Sequence, residues 1–208
     1  MNAYGGIIGK TITGLPKEDF IHAVGTLQTC AGLESGIEAA IHAVRKSFEE
    51  DNRECLLLVD ADNAFNKLNR KVNLENIKRL CPPCTHTYTT ATTHPPCSIW
   101  KMGTTYCHSE GVTQGDNAAM AMYALSTRPL IQALSKETAN DEVKQVWYAD
   151  DSSAVGSLAG VKKWWKYLQV NGPDFGYSPK PAKTILLVKC SSLMQAAQKI
   201  LESNHRPR

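Results

Sequence analysis

Residues 146–156, VWYADDSSAVG, place two adjacent aspartates between two strand-forming runs. Val, Trp and Tyr favour strands and Asp favours turns, so this stretch predicts two strands joined by a tight turn. Such a hairpin makes two strands antiparallel neighbours, which limits the sheets that the chain can form. The aspartate pair is either ordinary turn chemistry or a place to hold a metal ion.

The rest of the chain supplies helical and strand patterns around this hairpin. CLLLVD (55–60) is a continuous apolar run typical of a buried strand, and Asp60 ends it. Helices are predicted at 17–24, 36–50, 68–80, 118–134 and 161–172, and further strands near 98–102 and at 184–189. This order of elements predicts an α+β fold with helices on one face of a mainly antiparallel sheet.

The composition excludes several special classes of protein. The chain has 208 residues, 42% of them hydrophobic and 21% charged, as expected of one large globular domain or two small ones. A net charge of +3 does not by itself imply a polyanionic partner. No apolar run approaches the roughly 20 residues that span a bilayer, and no targeting signal is visible. We therefore expect an intracellular protein, nuclear or cytoplasmic, whose seven cysteines are free thiols.

Three carboxylates can converge in this architecture. If the strand that ends at Asp60 neighbours the hairpin, Asp60 lies beside Asp150 and Asp151. Mg²⁺ takes oxygen ligands, often one or two carboxylates with waters and substrate phosphates. Two such ions can stabilise the attacking and leaving oxygens of an in-line phosphoryl displacement. Asp60 and Asp150 are the candidates for bridging carboxylates, with Asp151 as the weaker ligand.

Four ordered motifs resemble the successive palm motifs of reverse transcriptases: VDADNAFN (59–66), EGVTQGDN (110–117), YADD (148–151) and FGYSPKPAKT (175–184). The chain is most similar to the RNA-directed DNA polymerase domains of retroelements in invertebrate genomes, over about residues 9–189. The resemblance implies partial fingers at 1–54, a palm with an antiparallel sheet at 55–190 and a short C-terminal helix at 191–208. It also implies transfer of deoxynucleotides from triphosphates to a primer 3′ end on an RNA or DNA template.

The resemblance assigns the metal site and the site of the leaving group. Asp60 and Asp150 would hold two Mg²⁺ ions, for which Mn²⁺ is an alternative, with Asp151 beside them and the backbone carbonyl of Ala61 helping. Lys183 matches the lysine that donates a proton to the pyrophosphate leaving group.

The resemblance also assigns residues around the incoming nucleotide. Phe65 matches the steric gate that leaves no room for a ribose 2′-hydroxyl. Gln114 and Gly115 match a turn that approaches the template base and the nucleotide. Asn117 departs from the family, which usually has proline there, and this substitution loosens the turn but adds a helix cap.

Alternatives remain open at this stage. The family's basic fingers segment would precede the matched region, and only about 19 residues follow Lys189, too few for a thumb domain. An incomplete or degenerate copy, or an inactive nucleic-acid-binding remnant, is therefore one interpretation. A nucleotide cyclase is a second interpretation, because cyclases use a similar sheet with paired carboxylates.

A zinc-binding interaction module is a third interpretation, because seven ligand-type residues lie in 81–108: Cys81, Cys84, His86, His94, Cys97, Cys107 and His108. The oligomeric state is not predicted.

Overall fold

The central feature of the fold is a four-stranded antiparallel sheet, in which the strands defined below lie in the order β4-β5-β1-β6. The computed structural model of the chain describes residues 17–31, 33–85, 89, 99–101, 104–106, 111 and 119–202. Its helices are α1 (Lys17–Val24), α2 (Gly36–Glu49), α3 (Ala64–Lys67), α4 (Arg70–Leu80), α5 (Ala119–Glu137), α6 (Leu158–Asn171) and α7 (Met194–Glu202). The strands are β1 (Cys55–Val59), β2 (Ile99–Lys101), β3 (Thr104–Tyr106), β4 (Lys144–Tyr148), β5 (Asp151–Gly156) and β6 (Ile185–Val188), with β2 and β3 forming a separate two-stranded sheet.

The register of the central strands fixes where the aspartates lie. β1 pairs with β5 from Cys55 opposite Gly156 to Val59 opposite Ser152. The next position along the chain, Asp60, therefore stands at the same edge of the sheet as Asp151. The strand ending at Asp60 is thus a direct neighbour of the hairpin, as the convergence argument requires.

One face of the sheet packs against α5 and α6 and forms the core. Leu57 and Trp147 from the sheet and Trp164 from α6 are fully buried. Both indole N–H groups donate to the side-chain oxygen of Gln145, at 2.9 Å from Trp147 and 3.0 Å from Trp164. The Gln145 amide nitrogen in turn donates to the carbonyl of Ile131 and to Ser135. The polar atoms of these tryptophans are therefore satisfied inside the core, which avoids a desolvation penalty.

The second face of the sheet is only partly covered. α2 lies over β4 and β5 on this side. A groove with a volume of about 590 Å³ runs between α2 and the sheet, and Asp60, Asp151 and Lys183 are among its lining residues. The apolar stripe of α2 is less buried than an amphipathic pattern suggests, because Ile37 is 46% and Ile41 60% exposed. The groove leaves the carboxylate edge of the sheet open on this face.

The predicted α+β class, with its antiparallel sheet, is confirmed. The predicted helix at 68–80 begins instead at Arg70, because the side chain of Asn69 accepts a hydrogen bond from the Val72 N–H at 3.1 Å and caps the helix there. The predicted strand near 98–102 is β2, whereas β3 was not predicted. No helix in the described ranges has the length and hydrophobicity of a transmembrane segment.

Candidate active site

Asp60 is positioned by β1 and by the chain segment at 178–183. β1 is a buried strand, so its last residue is held by the sheet while the next side chain emerges at the edge. The Asp60 carbonyl accepts a hydrogen bond from the Lys180 N–H at 2.9 Å, and the Asp62 N–H donates to the Ser178 carbonyl at 2.8 Å. Ala61 is buried and forms an antiparallel bridge with Pro179, and the predicted role of its backbone carbonyl at the metals stays a prediction. The motifs at 59–66 and 175–184 are therefore joined by backbone hydrogen bonds.

Asp150 and Asp151 are positioned by a two-residue turn between β4 and β5. Tyr148 pairs with Asp151 across the hairpin, which leaves Ala149 and Asp150 as the turn residues. Ala149 has a φ of 53°, in the left-handed region that favours glycine. A residue other than glycine stays in this region only when its surroundings hold it there. The turn that carries the aspartates is thus a constrained part of the backbone.

The three carboxylates interact electrostatically. Burial raises the pKa of Asp150, the negative charge of Asp60 raises it further, and Lys183 acts in the opposite direction. Burial likewise raises the pKa of Asp151, followed by the charges of Asp150 and Asp60. Mutual repulsion between partly buried carboxylates is relieved by a bound cation, as expected of a metal site.

Lys183 provides the positive charge closest to these aspartates among the contacts of the described residues. Its Nζ lies 2.6 Å from Asp60 Oδ2, and this hydrogen-bonded ion pair raises the pKa of Lys183. Lys180 and Lys67 pair instead with Asp62, two residues after Asp60. Lys183, which the sequence predicted in the site, therefore lies against Asp60, the predicted metal ligand. Its ammonium group keeps its proton at neutral pH.

Phe65 lies at the start of α3, where its ring stacks on Tyr123 of α5 with 4.7 Å between ring centroids. Phe65 is half-buried, so part of the ring remains accessible, whereas Tyr123 beneath it is fully buried. The stacking fixes the orientation of the Phe65 ring. Gln114 and Gly115 lie outside the described residues, and their predicted role stays a prediction.

Two buried residues in contact with the aspartate turn were missed from the sequence. Tyr177 donates its hydroxyl proton to the Asp150 carbonyl at 2.8 Å and shares a second hydrogen bond of 2.8 Å with Ser152. Gln28 contacts the backbone of Ala149 through its side-chain amide. Tyr177 belongs to a motif used for the resemblance, and its position directly after Gly176 was an available signal. Gln28 lies in a stretch of weak periodicity that carried no such signal.

The cysteine-rich segment gives no zinc site in the part of it that the structure describes. Cys81 and Cys84 form a disulfide, which corrects the expectation of free thiols at these two positions and occupies the sulfur atoms that would bind zinc. His86, His94, Cys97, Cys107 and His108 lie outside the described residues. Cys30 and Cys55 are free, and burial raises the pKa of each thiol to about 12.

The donor set at the carboxylate edge fits a hard divalent cation. Asp60, Asp150 and Asp151 offer oxygen ligands, and Mg²⁺ is commonly bound by one or two carboxylates with waters and substrate phosphates. Across the described ranges, no three Asp, Glu, His or Cys side chains are already gathered around one metal position. Within the described residues, these carboxylates therefore do not form a closed protein cage around a metal.

Comparison with known proteins shows that the fold is similar to part of solved telomerase structures. The chain matches apo telomerase from Candida tropicalis, truncated from its C-terminal domain, with a TM-score of 0.60 and 15% identity over 90% of this chain and 40% of that one. It also matches Candida tropicalis telomerase in complex with a TWJ fragment of telomeric RNA (TM-score 0.60, 14% identity, 89% of this chain and 33% of that one). Candida albicans telomerase in complex with the same kind of fragment gives a TM-score of 0.54 and 10% identity over 89% of this chain and 33% of that one.

The chain thus spans only 33–40% of the length of these telomerases. Identities of 10–15% establish likeness of fold and not of activity. No protein-family model matches the sequence, and no curated protein does.

Proposed function

We propose that this chain is the catalytic palm of an RNA-directed DNA polymerase, of the kind encoded by invertebrate retroelements. The observation that carries the proposal is the meeting of Asp60, the Asp150–Asp151 turn and Lys183 at one open edge of an antiparallel sheet. These residues come from three of the four sequence motifs. The turn at Asp150 lies 90 residues after Asp60 in the sequence, and Lys183 lies further on. The likeness of fold to telomerases supports the same assignment.

Asp60 and Asp150 would hold two Mg²⁺ ions, with Asp151 beside them. When bound, such ions lower the energy of the charge that develops on the attacking and leaving oxygens during phosphoryl transfer. The primer 3′-hydroxyl would lose its proton to solvent as its oxygen forms a bond to the α-phosphorus of a deoxynucleoside triphosphate, and the bond from that phosphorus to the pyrophosphate oxygen would break. In this proposal, the position of the aspartate turn determines where these bonds form and break.

Lys183 would supply the proton that the leaving pyrophosphate accepts. Its ammonium is held at the site by Asp60, and the raised pKa keeps the proton on the nitrogen at neutral pH. Transfer to pyrophosphate requires the lysine to exchange Asp60 for a phosphate oxygen. Its 58% exposed side chain and flexible stem permit that movement.

Phe65 would select deoxyribonucleotides. Its ring is fixed from below by Tyr123 and accessible from above, so it can press against the sugar of a nucleotide bound at the carboxylates. A ribose 2′-hydroxyl would then meet the ring. The partners of this function are a primed RNA or DNA template and deoxynucleoside triphosphates, and binding of the template should weaken as salt rises.

The test is Mg²⁺-dependent incorporation of deoxynucleotides on a primed RNA template, measured for the wild type, Asp150→Asn and Asp51→Asn. Asp51→Asn is the matched control, because it makes the same chemical change at an exposed position that precedes β1, at the opposite end of the strand from Asp60. We expect incorporation by the wild type and by Asp51→Asn, and a loss of at least about 10³-fold in Asp150→Asn.

Three results would contradict the proposal. Incorporation that survives in Asp150→Asn would remove Asp150 from the reaction. Salt-sensitive binding of the primed template with no incorporation by any variant would instead identify the chain as a nucleic-acid-binding remnant. Product formed from nucleotide alone, without template, would identify a cyclase.

A further inference from the structure

The segment at 27–29, which precedes the region of the palm motifs, extends the sheet beside the aspartate turn. The Thr29 N–H donates to the Trp147 carbonyl at 2.8 Å, and the Trp147 N–H donates to the Leu27 carbonyl at 2.8 Å. Gln28 forms a parallel bridge with Trp147 at the end of β4. This short pairing places the Gln28 side chain next to Ala149, two residues further along the chain than Trp147.

The Gln28 side-chain amide binds both backbone groups of Ala149. Its oxygen accepts the Ala149 N–H at 2.9 Å, and its nitrogen donates to the Ala149 carbonyl at 3.1 Å. Gln28 is fully buried and Ala149 is 4% exposed, so water does not compete readily for these groups. The Ala149 N–H needs an acceptor, so the oxygen of the Gln28 amide, and not its nitrogen, must face it. The Gln28 side chain thus forms hydrogen bonds with both the N–H and the carbonyl of Ala149.

The backbone conformation of Ala149 needs such support. Its φ of 53° is disfavoured for any residue with a Cβ, and Asp150 follows it directly. A relaxation of Ala149 to negative φ would redirect the chain at Asp150. The two hydrogen bonds from Gln28 stabilise the left-handed conformation and therefore the direction in which the aspartates leave the hairpin.

We propose that Gln28 is a positioning residue that holds Ala149 in its left-handed conformation and thereby orients Asp150 and Asp151 for cation binding. This inference rests on the proposed function, because it concerns the same carboxylates. Gln28 touches neither substrate nor cation. It acts from the N-terminal segment through the backbone of the turn, so this segment contributes to the geometry of the site as well as to the sheet.

The experiment compares Gln28→Met with Thr29→Val in the full chain. Methionine keeps the length and the packing of glutamine but forms neither hydrogen bond to Ala149. Thr29→Val is the matched control, because Thr29 is also buried and its hydroxyl donates to the Trp147 carbonyl at 3.0 Å, two residues before Ala149. Both variants remove buried side-chain hydrogen bonds from the same segment, and only one of them frees Ala149.

Two measurements are made on each variant and on the wild type. The first is amide hydrogen exchange at Ala149 and Trp147, which does not depend on any activity. The second is the affinity for Mn²⁺, followed by the paramagnetic resonance of the free ion, with Asp150→Asn defining the binding that belongs to the site. The protein is studied without nucleic acid, so that substrate binding does not mask a change at the carboxylates.

We expect Gln28→Met to accelerate exchange at Ala149 by at least about tenfold while Trp147 stays protected. Its Asp150-dependent Mn²⁺ affinity should fall about 10- to 100-fold, the usual effect of removing a group that orients a metal ligand, whereas Thr29→Val should stay within about twofold of the wild type. Unchanged exchange at Ala149, or an Mn²⁺ affinity in Gln28→Met equal to that of Thr29→Val, would overturn the inference.

The same data separate failure of the inference from failure of the proposed function. A wild type with no Asp150-dependent Mn²⁺ binding contradicts the proposed function, and with it a positioning role for Gln28. The exchange at Ala149 then still reports whether the hydrogen bonds exist. Asp150-dependent Mn²⁺ binding that survives in Gln28→Met contradicts the inference alone.

Discussion

Tyr177→Phe tests how the aspartate turn is held from the core. The Tyr177 hydroxyl lies 2.8 Å from the Asp150 carbonyl and 2.8 Å from Ser152 Oγ. Because the Tyr177 proton is donated to the carbonyl, the Ser152 hydroxyl must donate to Tyr177. Both side chains are buried, at 0% exposure for Tyr177 and 3% for Ser152. Phenylalanine removes both hydrogen bonds but keeps the ring, which packs edge-on against Trp147 at 5.1 Å between centroids.

The expected cost follows from the number of hydrogen bonds lost. A neutral buried hydrogen bond contributes about 0.5–1.5 kcal/mol net, so Tyr177→Phe should lower the free energy of unfolding by about 1–3 kcal/mol. Ser152→Ala removes one of the two bonds and should cost about 0.5–1.5 kcal/mol. In the Tyr177→Phe background Ser152 has already lost its partner, so adding Ser152→Ala should be close to neutral. The double-mutant cycle should therefore give a coupling of about 0.5–1.5 kcal/mol.

The assay is urea unfolding of the wild type, the two single variants and the double variant, followed by Trp fluorescence. The slope of the free energy against urea concentration should be the same in all four proteins, so that the midpoints report stability. Additive effects of the two substitutions, within about 0.3–0.5 kcal/mol, would refute the chain of hydrogen bonds from Ser152 through Tyr177 to the turn.

Three further predictions concern the site and its surroundings. Because burial and the charge of Asp60 raise the pKa of Asp150, its ionisation opposes folding. Asp150→Asn should therefore unfold at a higher temperature than the wild type at pH 7 in the absence of divalent cations, and this difference should disappear at pH values where the carboxyl is protonated. Equal unfolding temperatures of the two proteins at pH 7, or a difference that persists at pH 3, would contradict this. Gly176 has a φ of 80°, and a Cβ there would overlap the Lys67 carbonyl oxygen and lie 2.6 Å from Leu68 Cα. Gly176→Ala should therefore lower the free energy of unfolding in urea by about 3–4 kcal/mol. A decrease below about 1 kcal/mol would show that this close approach is absent. Phe65→Val should raise incorporation of ribonucleotides relative to deoxyribonucleotides by at least about tenfold in single-nucleotide extension; an unchanged ratio would mean that Phe65 does not contact the sugar.

The sheet could be predicted because its strands carry strong local signals. β1 is a continuous apolar run, and the hairpin has strand-forming residues on both sides of a polar turn. The placement of Asp60 at the same end of the sheet as the hairpin turn depended on one pairing, that of β1 with β5, and the structure has this pairing.

The remaining features depend on residues distant in sequence. The hydrogen bonds between Gln28 and Ala149 join positions 121 residues apart, and no local pattern indicates them. The left-handed φ of Ala149 was equally hidden, because alanine is not a residue that predicts it. The exposure of Ile37 and Ile41 could not be read from helical periodicity, since periodicity predicts an apolar face but not what covers it. The start of α4 at Arg70 was a missed local signal, because Asn69 is a favoured N-cap.

Anomalous diffraction from crystals of the chain soaked in Mn²⁺ would show whether Asp60 and Asp150 share bound cations. We expect anomalous density coordinated by carboxylate oxygens of both aspartates, with the Lys183 ammonium displaced from Asp60, and no such density in Asp150→Asn. Density confined to other carboxylates, or equal density at this position in Asp150→Asn, would contradict this expectation.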